Sequence, residues 1–162
     1  VTVSKPSILK SGNFHMSDSA SETPNEIKPA KRPTGIDPFL QSLVHHADYD
    51  GFEFGITLSV GGILVSGMLV SGRKFFENFG EKFGSAFEDA EVRKSLASSF
   101  SEWGVLYDPQ EDGTRRESTY LHIKDVAFFT TNSQPIPSDA GSWWRGRISE
   151  VDGFLLGNLT AN

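Results

Sequence analysis

The chain has no cysteine. Disulfides and thiolate metal sites are therefore excluded, and the composition fits a reducing cytoplasm. The motifs G-x-S-x-G, H-E-x-x-H and G-x-x-x-x-G-K-[ST] are also lacking, so no common nucleophile, metalloprotease or phosphate-binding arrangement is present. Lys5 and Lys10 are followed by no apolar run, and no secretory leader is expected there. A basic excess is missing from most of the chain. Residues 1–36 carry five basic and three acidic side chains against −6 for the whole, which leaves −8 for residues 37–162. An acidic body argues against nucleic acid as the main partner, because phosphate binding needs a basic surface.

What is there is enough for one core: 162 residues, 37% apolar, with 13 phenylalanines. Residues 1–35 are rich in Ser, Pro, Lys and Glu and read as a disordered arm ahead of a single domain over residues 36–160. Asp37-Pro38 is an N-cap followed by proline at the first helical position, with Phe39, Leu40, Leu43, Val44 and Ala47 as the apolar stripe of a short helix.

Phe54 to Gly72 is 19 residues without a charge, long enough for a membrane helix. Its period argues otherwise. Phe52, Phe54, Ile56, Leu58 and Val60 alternate with Glu53, Gly55, Thr57 and Ser59, and Gly61-Gly62 interrupts the run where a two-residue hairpin turn fits. The spacing predicts a hairpin of roughly 52–60 with 63–70, Val60 facing Ile63, burying Phe54, Ile56, Leu58, Val65 and Leu69. Gly67 opposite Ile56 leaves space for a bulky neighbour.

A helix is expected from about Lys74, with Phe75, Phe76, Phe79, Phe83 and Phe87 as a core stripe. Gly80 and Gly84 within it suggest close packing against a neighbour, since each lowers helix propensity by about 1 kcal/mol. Val92, Leu96, Phe100 and Trp103 form a second helical stripe capped by Asp89 and stopped by Gly104. After a charged turn at 108–117, Ser118 to Thr131 reads as a strand bent at Asp125. A loop at 132–142 leads to the C-terminal stretch. The expected fold is α+β: an antiparallel sheet of about five strands (two hairpins plus a long strand), with helices packed on one face and the order α-β-β-α-α-β-β-β.

The most distinctive words lie at the end: Trp144-Arg145-Gly146-Arg147-Ile148-Ser149-Glu150-Val151-Asp152-Gly153-Phe154-Leu155-Leu156-Gly157. Asp152-Gly153 is a strong hairpin dipeptide. Pairing Val151 with Phe154 places Trp144, Gly146 and Ile148 on one face with Leu155, Gly157 and Leu159, and Arg145 and Arg147 on the other. A turn at Ser149-Glu150 is the alternative and changes that register.

This stretch resembles the C-terminal signature of the gas-vesicle accessory protein U family, W-R-G-[KR]-I-x-E-V-D-G-F-x-L-G, which Trp144 through Gly157 fill without a gap. Weaker similarity runs through Gly51 to Ser71, with its Ser66-Gly67, and through Leu121 to Lys124, so the resemblance covers roughly residues 36 to 160. It implies a non-enzymatic accessory role in the cytoplasm beside gas vesicles, the hollow protein shells that give some microbes buoyancy. The implied partners are the vesicle shell or other gas-vesicle proteins, together with a second copy of the chain, the outcome being vesicle clustering or assembly. No cofactor, nucleic acid or membrane span is implied.

Several residues invite chemistry and are weighed on their own. His45-His46 lie beside Asp48 and Asp50, but adjacent histidines point about 100° apart on a helix, and a solvated helix end explains them better than a metal. Asp108 to Gly113 superficially suggests a calcium loop, yet Pro109 and Thr119 stand at the second and twelfth positions. His122 beside Lys124 suits a general base or, more ordinarily, a surface-facing strand histidine. Asn158-Leu159-Thr160 has the glycosylation pattern, without meaning in a cytoplasmic protein. Trp143, Arg145 and Arg147 are the expected partner-binding residues, as a forked cationic strip beside an exposed indole; the competing reading pairs the arginines with the chain's own acids, Glu150 and Asp152 included. The rival function is a small-ligand or enzymatic pocket between sheet and helix, lined by Phe79, Phe83 and Phe87, with His122 or Arg145 as its polar group.

Overall fold

The computed structural model describes residues 35–130, 135–137 and 141–159. The expected arm lies outside them apart from Gly35. Helix α1 (Pro38–Tyr49) starts as its sequence dictates, with the Asp37 carboxylate accepting the N–H groups of Phe39 and Leu40. Strands β1 (Phe54–Val60) and β2 (Ile63–Val70) form the hairpin in the expected register, Val60 opposite Ile63. Gly61 and Gly62 both have positive φ, 56° and 83°, as a twist-matched two-residue turn requires. No helix among the described residues is long and apolar enough to cross a membrane.

Helices α2 (Gly72–Gly84) and α3 (Ala90–Ser101) follow, and a 3₁₀ segment, Glu102–Tyr107, runs on through the buried Gly104, which was expected to stop the helix. Strand β3 (Tyr120–Phe129) carries the bend at Asp125 (φ 52°), where its register against β2 shifts. Ile123 from that strand fills the space over Gly67, where an added Cβ would lie 2.5 Å from Ile123 Cγ2. Strands β4 (Pro135–Ile136), β5 (Trp143–Arg147) and β6 (Gly153–Leu156) complete a six-stranded antiparallel sheet.

The fold is α+β, but the second expected hairpin is not formed. β5 pairs with β3, Arg147 opposite Tyr120, while β6 pairs with β1, Gly153 opposite Ser59. The two strands therefore sit at opposite ends of the run β5-β3-β2-β1-β6. Neither Asp152 nor Gly153 has positive φ. A 3₁₀ turn over Ile148–Glu150 takes the chain across instead, and Asp152 accepts the Gly61 N–H at 2.9 Å. In a flat sheet Arg147 and Gly153 would lie more than about 30 Å apart, whereas six peptide links reach at most about 21 Å. The sheet is accordingly strongly coiled.

Strand alternation separates two faces. On one, Ile56, Leu58, Val65, Leu69, Leu121, Ile123 and Val126 meet Leu40, Val44 and Ala47 of α1, with Ile148 wedged among them. The helices were expected on a single face. Instead α2 lies against the opposite one, where Phe75 meets His122. The tail crosses another part of that opposite face: the Leu159 N–H donates to Ser66 Oγ, and Gly55 leaves room for Asn158.

Candidate functional site

The opposite face begins at the junction of β2 and α2. Ser71 caps the helix, and Gly72 lets the Tyr107 ring press on the backbone, where an added Cβ would lie within 2.4 Å of it. Asp48 ties α1 into this junction. Its carboxylate accepts the Gly72 N–H at 2.9 Å and the Ser118 hydroxyl. Burial raises its pKa to about 6, outweighing those two hydrogen bonds. Asp48 was expected on a solvated helix end and is in fact a buried anchor. The flanking side chains do remain outside: His46 Nδ1 pairs with Asp50 at 2.7 Å, and the His45 ring lies tilted against Tyr49 at 4.8 Å. Among the described residues no three metal-ligating side chains converge.

His122 is buried rather than surface-facing. A strand residue on the face away from the aliphatic core is read as exposed, yet its accessibility is 0%. Phe75, Phe76 and Tyr107 enclose the ring, and Tyr107 Oη lies 3.3 Å from its Nε2. Nδ1 is buried with no partner among the described residues. Burial, and then the Arg145 charge, lower its pKa to about 3, so the ring is neutral. A sealed imidazole has no path to a substrate.

The three expected binding residues do share a face of β5. Trp143 is half-buried with its ring 6.3 Å from Phe75, while Arg145 and Arg147 are exposed. Neither arginine pairs with a carboxylate among the described residues, so the ion-pair reading with Glu150 and Asp152 finds no support there. Arg145 lies 3.5 Å over the Tyr120 ring and 5.8 Å from Phe76. The guanidinium of Arg147, and then that of Arg145, hold the Tyr120 hydroxyl below the usual phenol range.

Beside this strip stands the α2–α3 pair. Gly80 and Gly84 are its contact points, as expected of glycines inside a helix: an added Cβ would meet the carbonyls of Ala97 and Arg93 at 2.5 and 2.8 Å. The close approach leaves the phenylalanines to one side. Phe79 and Phe83 both pack edge-on to Phe100, yet they remain 41% and 42% exposed, with Phe87 at 39%. The stripe expected in the core is thus a half-open aromatic wall. A groove of about 440 Å³ runs between it and β5, lined by Phe75, Asn78, Phe79, Lys82, Phe83 and Trp143. Arg145 lines the adjoining one with Phe76, Phe100 and Trp103. Phe87 and His122, both assigned to a ligand pocket on the rival reading, line neither groove.

The sequence did not signal the contributions of Tyr107, Tyr120 and Lys82. The one available sign was an excess of aromatics on helices too glycine-rich to bury them on both sides.

No curated protein and no solved structure matches the chain. One family does, described as Gas vesicle protein GvpU-like, and it matches residues 37–159, from the cap of α1 to the end of the tail. That span takes in the coiled sheet, the aromatic wall and the arginine strip, and the chain belongs to the GvpU-like family of gas vesicle proteins.

Proposed function

We propose that this chain is a non-enzymatic accessory protein that docks on the gas-vesicle shell, or on another vesicle protein, and associates with itself to promote clustering or assembly of vesicles. Family membership supplies the gas-vesicle setting. The observation that carries the docking half is the pairing of a half-open aromatic wall with Arg145 and Arg147, two cations without carboxylate partners among the described residues of a chain of net charge −6. Exposed aromatics give contact area at low entropic cost, and the arginines supply orientation and encounter rate.

The test is flotation of purified vesicles with the wild type and with Arg145→Glu/Arg147→Glu. The double variant should keep its fold by circular dichroism and fail to float with the vesicles, and wild-type binding should weaken as salt rises. Normal binding by the folded double variant would remove the arginine strip from the docking surface.

A further inference from the structure

At one end of the sheet β4 and β5 both border β3, and at the other β6 borders β1; β5 and β6 are edges of opposite character. β5 carries Arg145 and Arg147, charges of the kind that keep an edge from pairing with another chain. β6 carries nothing of the kind. Residues 153–159 contain no charged side chain, and Leu155 and Leu156 are 53% and 66% exposed. Phe39, 64% exposed, lies against Phe154 and extends the apolar border.

The register shows which backbone groups are unused. Val60 faces Ile63 across a two-residue turn, so alternate β1 residues from Val60 bond to β2, and Gly55, Thr57 and Ser59 bond to β6. The Gly157 N–H donating to the Gly55 carbonyl at 2.8 Å agrees. Leu155, opposite Thr57, therefore turns its N–H and C=O inward, and Phe154 and Leu156 turn theirs outward. No strand among the described residues meets that outer edge.

We infer that β6 pairs antiparallel with β6 of a second copy, about a twofold axis at Leu155. In that register Phe154 of each copy faces Leu156 of the other, and the four outward N–H and C=O groups of each strand satisfy one another. A foreign strand meets the same edge only by chance of sequence; a second copy meets it with matched length, matched lack of charge and a closed geometry. Four residues a side bury well under the roughly 800 Å² per partner of a stable interface. The dimer is consequently weak and reversible, which suits a cross-link between large particles that gain by multivalency. The inference rests on the self-association half of the reading above and is independent of the docking half.

The experiment uses the full chain without vesicles. Because the protein has no cysteine, Leu155→Cys places one thiol on the axis. Directly opposed residues of a non-hydrogen-bonded antiparallel pair have Cα atoms about 4.5 Å apart, within disulfide reach. Mild oxidation should give a covalent dimer with Leu155→Cys and none with Ser149→Cys, a control at another exposed position. By sedimentation equilibrium, Leu155→Lys and Leu155→Glu should each weaken the dimer at least tenfold, and an equimolar mixture of the two should restore it. A wild type monomeric up to about 1 mM overturns the proposal. So does a dimer that persists in Leu155→Lys, since association would then run through the aromatic wall or residues 1–34. Vesicle flotation plays no part in this readout, so loss of β6 pairing leaves the docking strip standing, and loss of docking leaves the dimer.

Discussion

The two faces of the sheet are built from different materials. The face under α1 is aliphatic and closed: Leu40, Val44, Ile56, Leu58, Leu69, Leu121 and Ile123 are at 0 or 1% accessibility. The face under α2 is aromatic and only half closed, sealed at Phe75, Tyr107 and His122 and open from Phe79 onward. Branched aliphatic side chains interlock to near-crystalline density, whereas rings on a glycine-spaced helical pair keep contact area in reserve. The first face supplies most of the stability, and the second presents surface.

The largest effect should come from the closed face. Leu58→Ala is expected to cost about 2–5 kcal/mol in urea denaturation, and Phe79→Ala less than about half as much, because the Phe79 ring is already partly wet. Equal costs would mean that the aromatic wall is as much a core as the aliphatic one.

Next in size is the pH response, which two buried groups with displaced pKa values should govern. His122 has a folded-state pKa near 3 against an ordinary 6.5, so the unfolded chain binds the extra proton between those values. Stability should therefore fall as pH drops through that window, by a few kcal/mol. Asp48 has the opposite sign. Its folded value near 6 stands above 3.8, so its contribution is full below about pH 4 and lost as pH rises toward 6. Thermal melts from pH 3 to 8 should show His122→Met flattening the acid limb and Asp48→Asn removing the opposing slope. An unchanged acid limb in His122→Met would place the acid sensitivity elsewhere.

A smaller loss is expected at the border between the faces. Gly146→Ala sets a Cβ within 2.2 Å of the Trp144 ring and should cost about 1–3 kcal/mol by denaturation, as overpacking does. The smallest effect belongs to neither face. Deleting residues 1–34, too poor in apolar side chains to offset their ordering entropy, should leave the melting temperature within a few degrees of the full chain.

Much of the closed face was legible in the sequence, because its signals are local. Asp37-Pro38 marks a helix start, Gly61-Gly62 fixes the hairpin register, and Gly67 and Asp125 announce a close neighbour and a bend. The aromatic face was half legible. The three- and four-residue spacing of Phe75, Phe79 and Phe83 established a helix but not which side would be covered. His122 was misread because its cover, Phe75 and Tyr107, comes from elements that alternation along β3 does not report. The shared face of Trp143, Arg145 and Arg147 was legible from the period of β5, and their freedom from carboxylates was not. The C-terminal hairpin failed for a related reason: Asp152-Gly153 is a good turn in isolation, but the open edges of β3 and β1 compete for the same two strands, and Ile148 gains a place in the core when they separate.

The Asp152 carboxylate on the Gly61 N–H also bears on how the chain is made. The first hairpin is complete in sequence by Val70, yet its tight turn and the outer edge of β1 find their partners only at Asp152 to Gly157, some ninety to a hundred positions later. A chain leaving the ribosome therefore carries an unfinished apolar hairpin until Asp152 to Gly157 emerge. Pairings of such long sequence separation close slowly. Changes that cut the chain after Arg147 should thus release an insoluble product, measured as loss from the soluble fraction, because β1 and its turn keep an unpaired edge.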